Sequence, residues 1–231
     1  MTRTIVLERR YRGPEASGNG GYTCGRVAAF VPAAAVEVTL RVPPPLETPL
    51  TVTGDGDVEV FDGDRLVAEA RAAELDLVPA PPVAFEEAAR LAAAQPPDPD
   101  HPFPGCFTCG PAGDGLRLKP TPVGDGRVVA PWRVEESAPE LVWAALDCPG
   151  AFAVNPDFAR GISVLGRLTA HVETVPQRGD ECVVVAWRIG GEGRKLLAGT
   201  AVYRGDTPLA RAAATWILVG DEFRDRVPSA S

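Results

Sequence analysis

The sequence predicts an α+β chain built as two tandem units, each an antiparallel β-sheet wrapped around a central apolar helix. Two observations predict it. Most of the chain alternates apolar and polar residues with a period of two, between Gly- and Asp-rich turns, as half-buried antiparallel strands do. The order of elements, a strand, an apolar helix and then about four strands, also recurs after a Pro-rich break. Duplication of one α+β unit is the economical account.

Residues 4–11 are expected to form a first strand. The loop from Gly13 to Gly21 is dense in turn formers, and Ser17 or Asn19 can cap a helix running to Val31, where Pro32 stops it. Strands follow at 36–42, 50–53, 58–61 and 66–72, with hairpin signals at Gly54-Asp-Gly-Asp57 and Asp62-Gly-Asp64. Residues 1–78 make the first unit. Residues 79–105 read as a stiff, partly extended linker around a short helix over 85–94, because prolines crowd both ends. Residues 106–220 make the second unit, with strands at 116–118 and 127–130, then 164–172, 181–188, 196–203 and 209–216. Residues 221–231 form a tail.

The second helix, Ala138-Pro-Glu-Leu-Val-Trp-Ala-Ala-Leu-Asp147-Cys-Pro-Gly-Ala-Phe152, has almost no polar face and should be wrapped on most sides. An ionisable group on such a helix is costly to bury, and its pKa should move. Asp147 is therefore a candidate site residue, and Pro149 should end or kink the helix just past it.

Composition bounds the function. The chain has 231 residues, 45% hydrophobic and 23% charged, which suits a globular protein with a real core. A net charge of −8 argues against nucleic acid as a partner. Apolar runs are too short for a membrane span, and the charged N-terminal residues do not read as a secretory signal. Five scattered cysteines read as reduced thiols, and the expected location is the cytoplasm.

The element order resembles the hotdog fold, and two short signatures sharpen the likeness. Cys106-Phe-Thr-Cys-Gly-Pro111 followed by Gly115-Leu-Arg-Leu118 is similar to the CFxCGP and GLRL opening of PaaI-type hotdog thioesterases. In that family the central helix begins with His-Gly-Gly, and the catalytic acid lies nine positions after the histidine. Asp147 lies nine positions after Ala138, so Ala138-Pro-Glu140 replaces His-Gly-Gly while the acid is kept. Asn19-Gly-Gly21-Tyr22 resembles the NGGY helix openings of larger acyl-CoA thioesterases, and nine positions after Asn19 stands Ala28, so there the acid is missing.

The resemblance implies a double hotdog with one composite site. Asp147 from the second unit would be the general base or nucleophile. Gly20 and Gly21 from the first would supply oxyanion-binding amides, and Asn19 and Tyr22 would contact substrate. The physics agrees, since a helix N-terminus carries unpaired N–H groups and partial positive charge. Glycine there allows close backbone approach. The implied activity is hydrolysis of an acyl-CoA or acyl-carrier-protein thioester. No separate cofactor is expected, coenzyme A or phosphopantetheine being part of the substrate. The chain would be pseudo-dimeric, and two copies could pair further as a homodimer. The alternatives are a protein that binds acyl thioesters or a partner without turnover, and a hotdog hydratase or dehydratase. The latter is disfavoured because neither helix start offers a histidine.

Other candidates are weaker at this level. Cys106-x-x-Cys109 near His101 is half a zinc ligand set, with Cys24, Cys148 and Cys182 isolated in predicted elements, so no metal is expected. Neither His101 nor His171 has an evident route to Cys148 to make it a nucleophile. Arg160, Arg167 and Arg188 read as solvated surface charges.

Overall fold

The computed structural model describes residues 3–220 except 97 and 159, so the expected C-terminal tail lies outside the described residues. The strands are β1 (Arg3–Ile5), β2 (Ala35–Leu40), β3 (Leu50–Thr53), β4 (Val58–Asp62), β5 (Arg65–Ala72), β6 (Thr121–Pro122), β7 (Arg127–Arg133), β8 (Ser163–Val172), β9 (Glu181–Glu192), β10 (Lys195–Arg204) and β11 (Thr207–Leu218). The helices are α1 (Gly20–Ala28), α2 (Phe85–Ala94), α3 (Pro139–Ala145) and α4 (Cys148–Val154).

All eleven strands among the described residues belong to one sheet, ordered β1-β3-β4-β5-β2-β8-β11-β10-β9-β7-β6, and every pairing is antiparallel. The strands up to residue 72 take the order first, third, fourth, fifth, second. Read from the other edge, β7-β9-β10-β11-β8 follows the same permutation. The halves join where β2 pairs with β8, in the register Val36↔Ala170 and Val38↔Leu168. Val38, Leu168, Val142 and Leu146 belong to a single core spanning both halves, so the apolar helices lie against a continuous apolar surface.

Three expectations need correction. Residues 4–11 do not form one strand, because β1 is short and Arg9–Tyr11 turn into a 3₁₀ helix. Residues 116–118 form no strand. Arg117 takes φ +52°, which interrupts an extended run, and Leu116 and Leu118 instead donate their amides to Phe107 O and Thr108 O. The helix expected over 138–152 is two helices, broken at Leu146 and Asp147. Asp147 sits in the break with φ −82° and ψ −90°. Pro149 accounts for it, since it has no N–H to continue the α3 ladder and fits the first turn of α4. Two carbonyls at the break are met by threonine hydroxyls, Thr108 Oγ1 donating to Ala144 O (3.1 Å) and Thr200 Oγ1 to Leu146 O (2.9 Å).

The segment between the halves is docked. α2 has the expected bounds, and its Ala88 is buried in a second apolar cluster with Val129, Val183, Val185, Ala201 and Tyr203 on the outer face of the sheet. Tyr203 Oη donates to Ala80 O at 2.7 Å, tying the segment down before the helix begins.

Candidate active site

α1 starts where the sequence says it can. Asn19 is its N-cap, and Asn19 Oδ1 accepts from Tyr22 N at 2.9 Å, meeting one of the orphan amides of the first turn. α1 lies directly against α3, and its glycines permit that. A Cβ on Gly21 would stand 2.5 Å from both Asp147 Cβ and Trp143 O, and one on Gly25 would stand 2.7 Å from Glu140 Cα. With no side chain at Gly21, its amide reaches across and donates to Asp147 Oδ2 at 2.8 Å.

Asp147 is only 2% exposed. Oδ2 is paired with Gly21, while Oδ1 is buried without a partner among the described residues. Burial lifts the Asp147 pKa from its ordinary 3.8 to about 7. The Gly21 amide opposes that rise by favouring the charged form, and so does the Asn19 side chain, while negative charge on the Cys106 sulfur adds to it. The result is a carboxylate able to exchange a proton near neutrality.

The carboxylate faces a cavity of about 300 Å³ between the two halves of the chain, whose lining includes Asn19, Gly20, Leu165, Ser163 and Trp216. Gly20, the first residue of α1, has an amide that no carbonyl within the helix can accept. Leu165 packs against Gly20, where a Cβ would meet its side chain at 2.9 Å. Ser163 Oγ and Trp216 Nε1 are buried with no partner among the described residues. Of the polar side chains on this cavity, sequence reasoning missed Ser163 and Trp216. Both sit in strand patterns where periodicity marks an inward face but cannot separate packing from contact with a ligand.

The predicted site residues are therefore mostly brought together: Asn19, Gly20, Gly21 and Asp147 meet within one region. Tyr22 does not join them. Its ring stacks on Tyr11 at 3.9 Å between centroids and meets Phe107 edge-on, so it packs in the core behind the helix start. Gly21 also departs from the expected picture, because its amide is engaged by the carboxylate.

Cys148 is not isolated. The Sγ atoms of Cys106, Cys109 and Cys148 all lie within 4.8 Å of one another. His101 turns Nδ1 to the Phe103 amide (3.1 Å) and packs beside Phe152 and Phe158. His171 lies along β8 with Nδ1 3.8 Å from Glu173, away from the Asp147 cavity.

Solved structures share this architecture. A candidate thioesterase from Novosphingobium aromaticivorans matches 94% of this chain and 95% of its own, with a TM-score of 0.61 and 16% identity. A conserved protein with hotdog fold from Alicyclobacillus acidocaldarius matches 94% and 92% (TM-score 0.59, 13% identity). An acyl-CoA thioesterase II, TesB2, from Mycobacterium marinum matches 93% and 92% (TM-score 0.57, 13% identity). No protein-family model matches the sequence, and no curated protein matches it. At these identities the likeness establishes the fold, which is the hotdog fold. No helix among the described residues is long and apolar enough to cross a membrane.

Proposed function

We propose, from the premise of a hotdog fold, that the chain is a double hotdog that hydrolyses an acyl-CoA or acyl-carrier-protein thioester at one composite site. The repeated strand permutation supports the tandem reading, with β2 and β8 joining the units as edge strands of a dimer would. The thioesterase names of similar structures support the reaction class. The observation that carries the proposal is the Asp147 carboxylate, buried and lining a cavity, paired through Oδ2 to a helix N-terminus from the other half, with Oδ1 unpaired among the described residues.

Each residue then has a chemical task. Gly21 N–H holds Oδ2 and fixes the carboxylate's direction. The thioester carbonyl sits over the start of α1, where the Gly20 amide and the helix dipole stabilise the developing oxyanion. Asp147 Oδ1 takes a proton from water as the water oxygen bonds to the carbonyl carbon. Collapse of the tetrahedral species breaks the C–S bond, and the proton passes to the departing thiolate. Direct attack by Oδ1 through an anhydride uses the same geometry. Asn19 keeps the helix start in place and lines the cavity.

The test is thiol release from short, long and aromatic acyl-CoA and acyl-carrier esters, by wild type and Asp147→Ala in parallel. Release that collapses in a folded variant supports the assignment. Tight binding of a non-hydrolysable analogue without release from any ester moves the chain to a binding role. Release that survives the substitution removes Asp147 from the mechanism.

A further inference from the structure

The thiols of Cys106, Cys109 and Cys148 converge from two distant parts of the chain behind Asp147. Cys106 and Cys148 are buried, and their Sγ atoms are 3.7 Å apart. That separation is far too long for a disulfide, whose S–S bond is about 2.0 Å. It matches the edge of a metal–thiolate tetrahedron, since bonds of about 2.3 Å at tetrahedral angles place sulfurs about 3.8 Å apart. Cys109 completes a triangle in which no edge exceeds 4.8 Å.

The surroundings favour thiolate over thiol at Cys106, whose sulfur in turn pushes the Cys109 and Cys148 thiols up. Asn19 Nδ2 donates to Cys106 Sγ at 3.7 Å, and the backbone amides of Thr108 and Cys109 also point to that sulfur. Such N–H···S contacts stabilise a negative sulfur and orient a metal ligand. The turn carrying the first two cysteines is tight. Gly110 N donates to Cys106 O at 2.8 Å, and a Cβ on Gly110 would lie 2.4 Å from Cys106 N and Pro104 O, so no side chain fits. The motif's glycine is thus explained by the closure that aims both sulfurs inward. Cys24 and Cys182 are buried too but lie outside the triangle, so burial alone did not assemble it.

We infer that Cys106, Cys109 and Cys148 form a binding site for a thiophilic d¹⁰ cation such as zinc(II), held by three thiolates. The fourth coordination position is left to a group from the adjoining cavities. Cys106 and Cys148 line the cavity of Asp147, and Cys109 lines a second one of about 550 Å³. Thiolate donors select soft or borderline ions over magnesium or calcium. The ion pins the 106–109 turn to the start of α4, next to the break that presents Asp147. Its role is structural, and no step of the hydrolysis passes through it.

The experiment uses the full chain, purified reduced and under argon, stripped with a chelator and titrated with zinc(II) and cobalt(II). One zinc per chain is expected, with a rise in Tm on adding zinc. Cobalt should give a thiolate-to-metal charge-transfer band in the near ultraviolet. Cys106→Ser, Cys109→Ser and Cys148→Ser should each lose the zinc-dependent Tm rise and weaken the band, while Cys24→Ser and Cys182→Ser should keep both. Cys109 is partly exposed, so Cys109→Ser keeps the proposal testable if the two buried substitutions do not fold. Reduced wild type that takes up no zinc and shows no cobalt–thiolate band overturns the site. So does a band that persists in Cys109→Ser, or a protein that closes a Cys106–Cys148 disulfide in air and binds no metal when reduced again.

Discussion

The Gly21 amide donates to Asp147 Oδ2 at 2.8 Å across 126 residues of sequence, and this bond joins the two halves at the cavity. One partner needs the missing side chain of a helix-start glycine, and the other needs the break in the facing helix. Neither half alone contains both.

Asp147→Asn should abolish hydrolysis while raising stability above neutral pH. The wild-type carboxyl is lifted from 3.8 to about 7 chiefly by burial, which corresponds to a penalty on the order of 4 kcal/mol against the charged form. Between about pH 4 and pH 7 the native state holds a proton that the unfolded state releases, so wild-type stability falls as pH rises through that window. Asparagine removes the slope and still accepts from Gly21. Urea unfolding at pH 4 and pH 8 checks it: a gain at pH 8 that vanishes at pH 4 is expected, and equal stability at both rules out the buried charge.

As general base, Asp147 must be ionised. With reduced, chelator-treated protein, kcat/KM for a good acyl-CoA ester should rise with pH through about 7 and level off above it. A limb centred near 4 would mean that the free carboxylate is solvated before substrate arrives.

How much of this was legible in the sequence varies with physical cause. The strands from 36 to 72 and from 163 to 218 were, because period-two burial writes itself into the residue order. The cap of α1 was, through Asn19 and the glycines after it. The α3/α4 break was visible only as Pro149, since what makes a break tolerable is remote: hydroxyls of Thr108 and Thr200 on carbonyls at the break. The three-thiol cluster was hidden for the same reason. Cys148 is 42 residues from Cys106, and no local spacing rule joins them. Tyr22 was misplaced because a helix start near a site turns only some of its residues toward it, and residue 22 turns to Tyr11.

Those threonines give a further prediction. Thr200→Val keeps the shape of the side chain but leaves Leu146 O buried and unpaired, at a cost of about 1–3 kcal/mol. Thr108→Val should cost less, because Ala144 O still accepts from the Asp147 amide at 3.2 Å. Both carbonyls flank the turn that sets Asp147, so kcat should fall as well. Denaturant unfolding with parallel kinetics checks this, and loss of stability without loss of rate would show that the break holds its shape unaided.

Adjacent glycines should fail differently. Alanine at Gly21 drives its Cβ to 2.5 Å from Asp147 Cβ and Trp143 O, atoms of a packed helix that cannot swing away. α1 and α3 must separate, and overpacking of this kind costs about 1–3 kcal/mol or more. At Gly20 the nearest atoms are Cβ and Cδ2 of Leu165, both at 2.9 Å; Cδ2 can rotate away, whereas Cβ moves only with the β8 backbone. Gly20→Ala should therefore lose some stability but less than Gly21→Ala, whose clashes reach 2.5 Å. Its methyl also sits 3.5 Å from Asp147 Oδ2, where the proposed mechanism places the thioester carbonyl. A fall in kcat/KM of at least about tenfold, or about 1.4 kcal/mol, measured well below the unfolding midpoint is the expected result. Full activity in Gly20→Ala would show that the carbonyl does not approach the start of α1, and the oxyanion would need another donor.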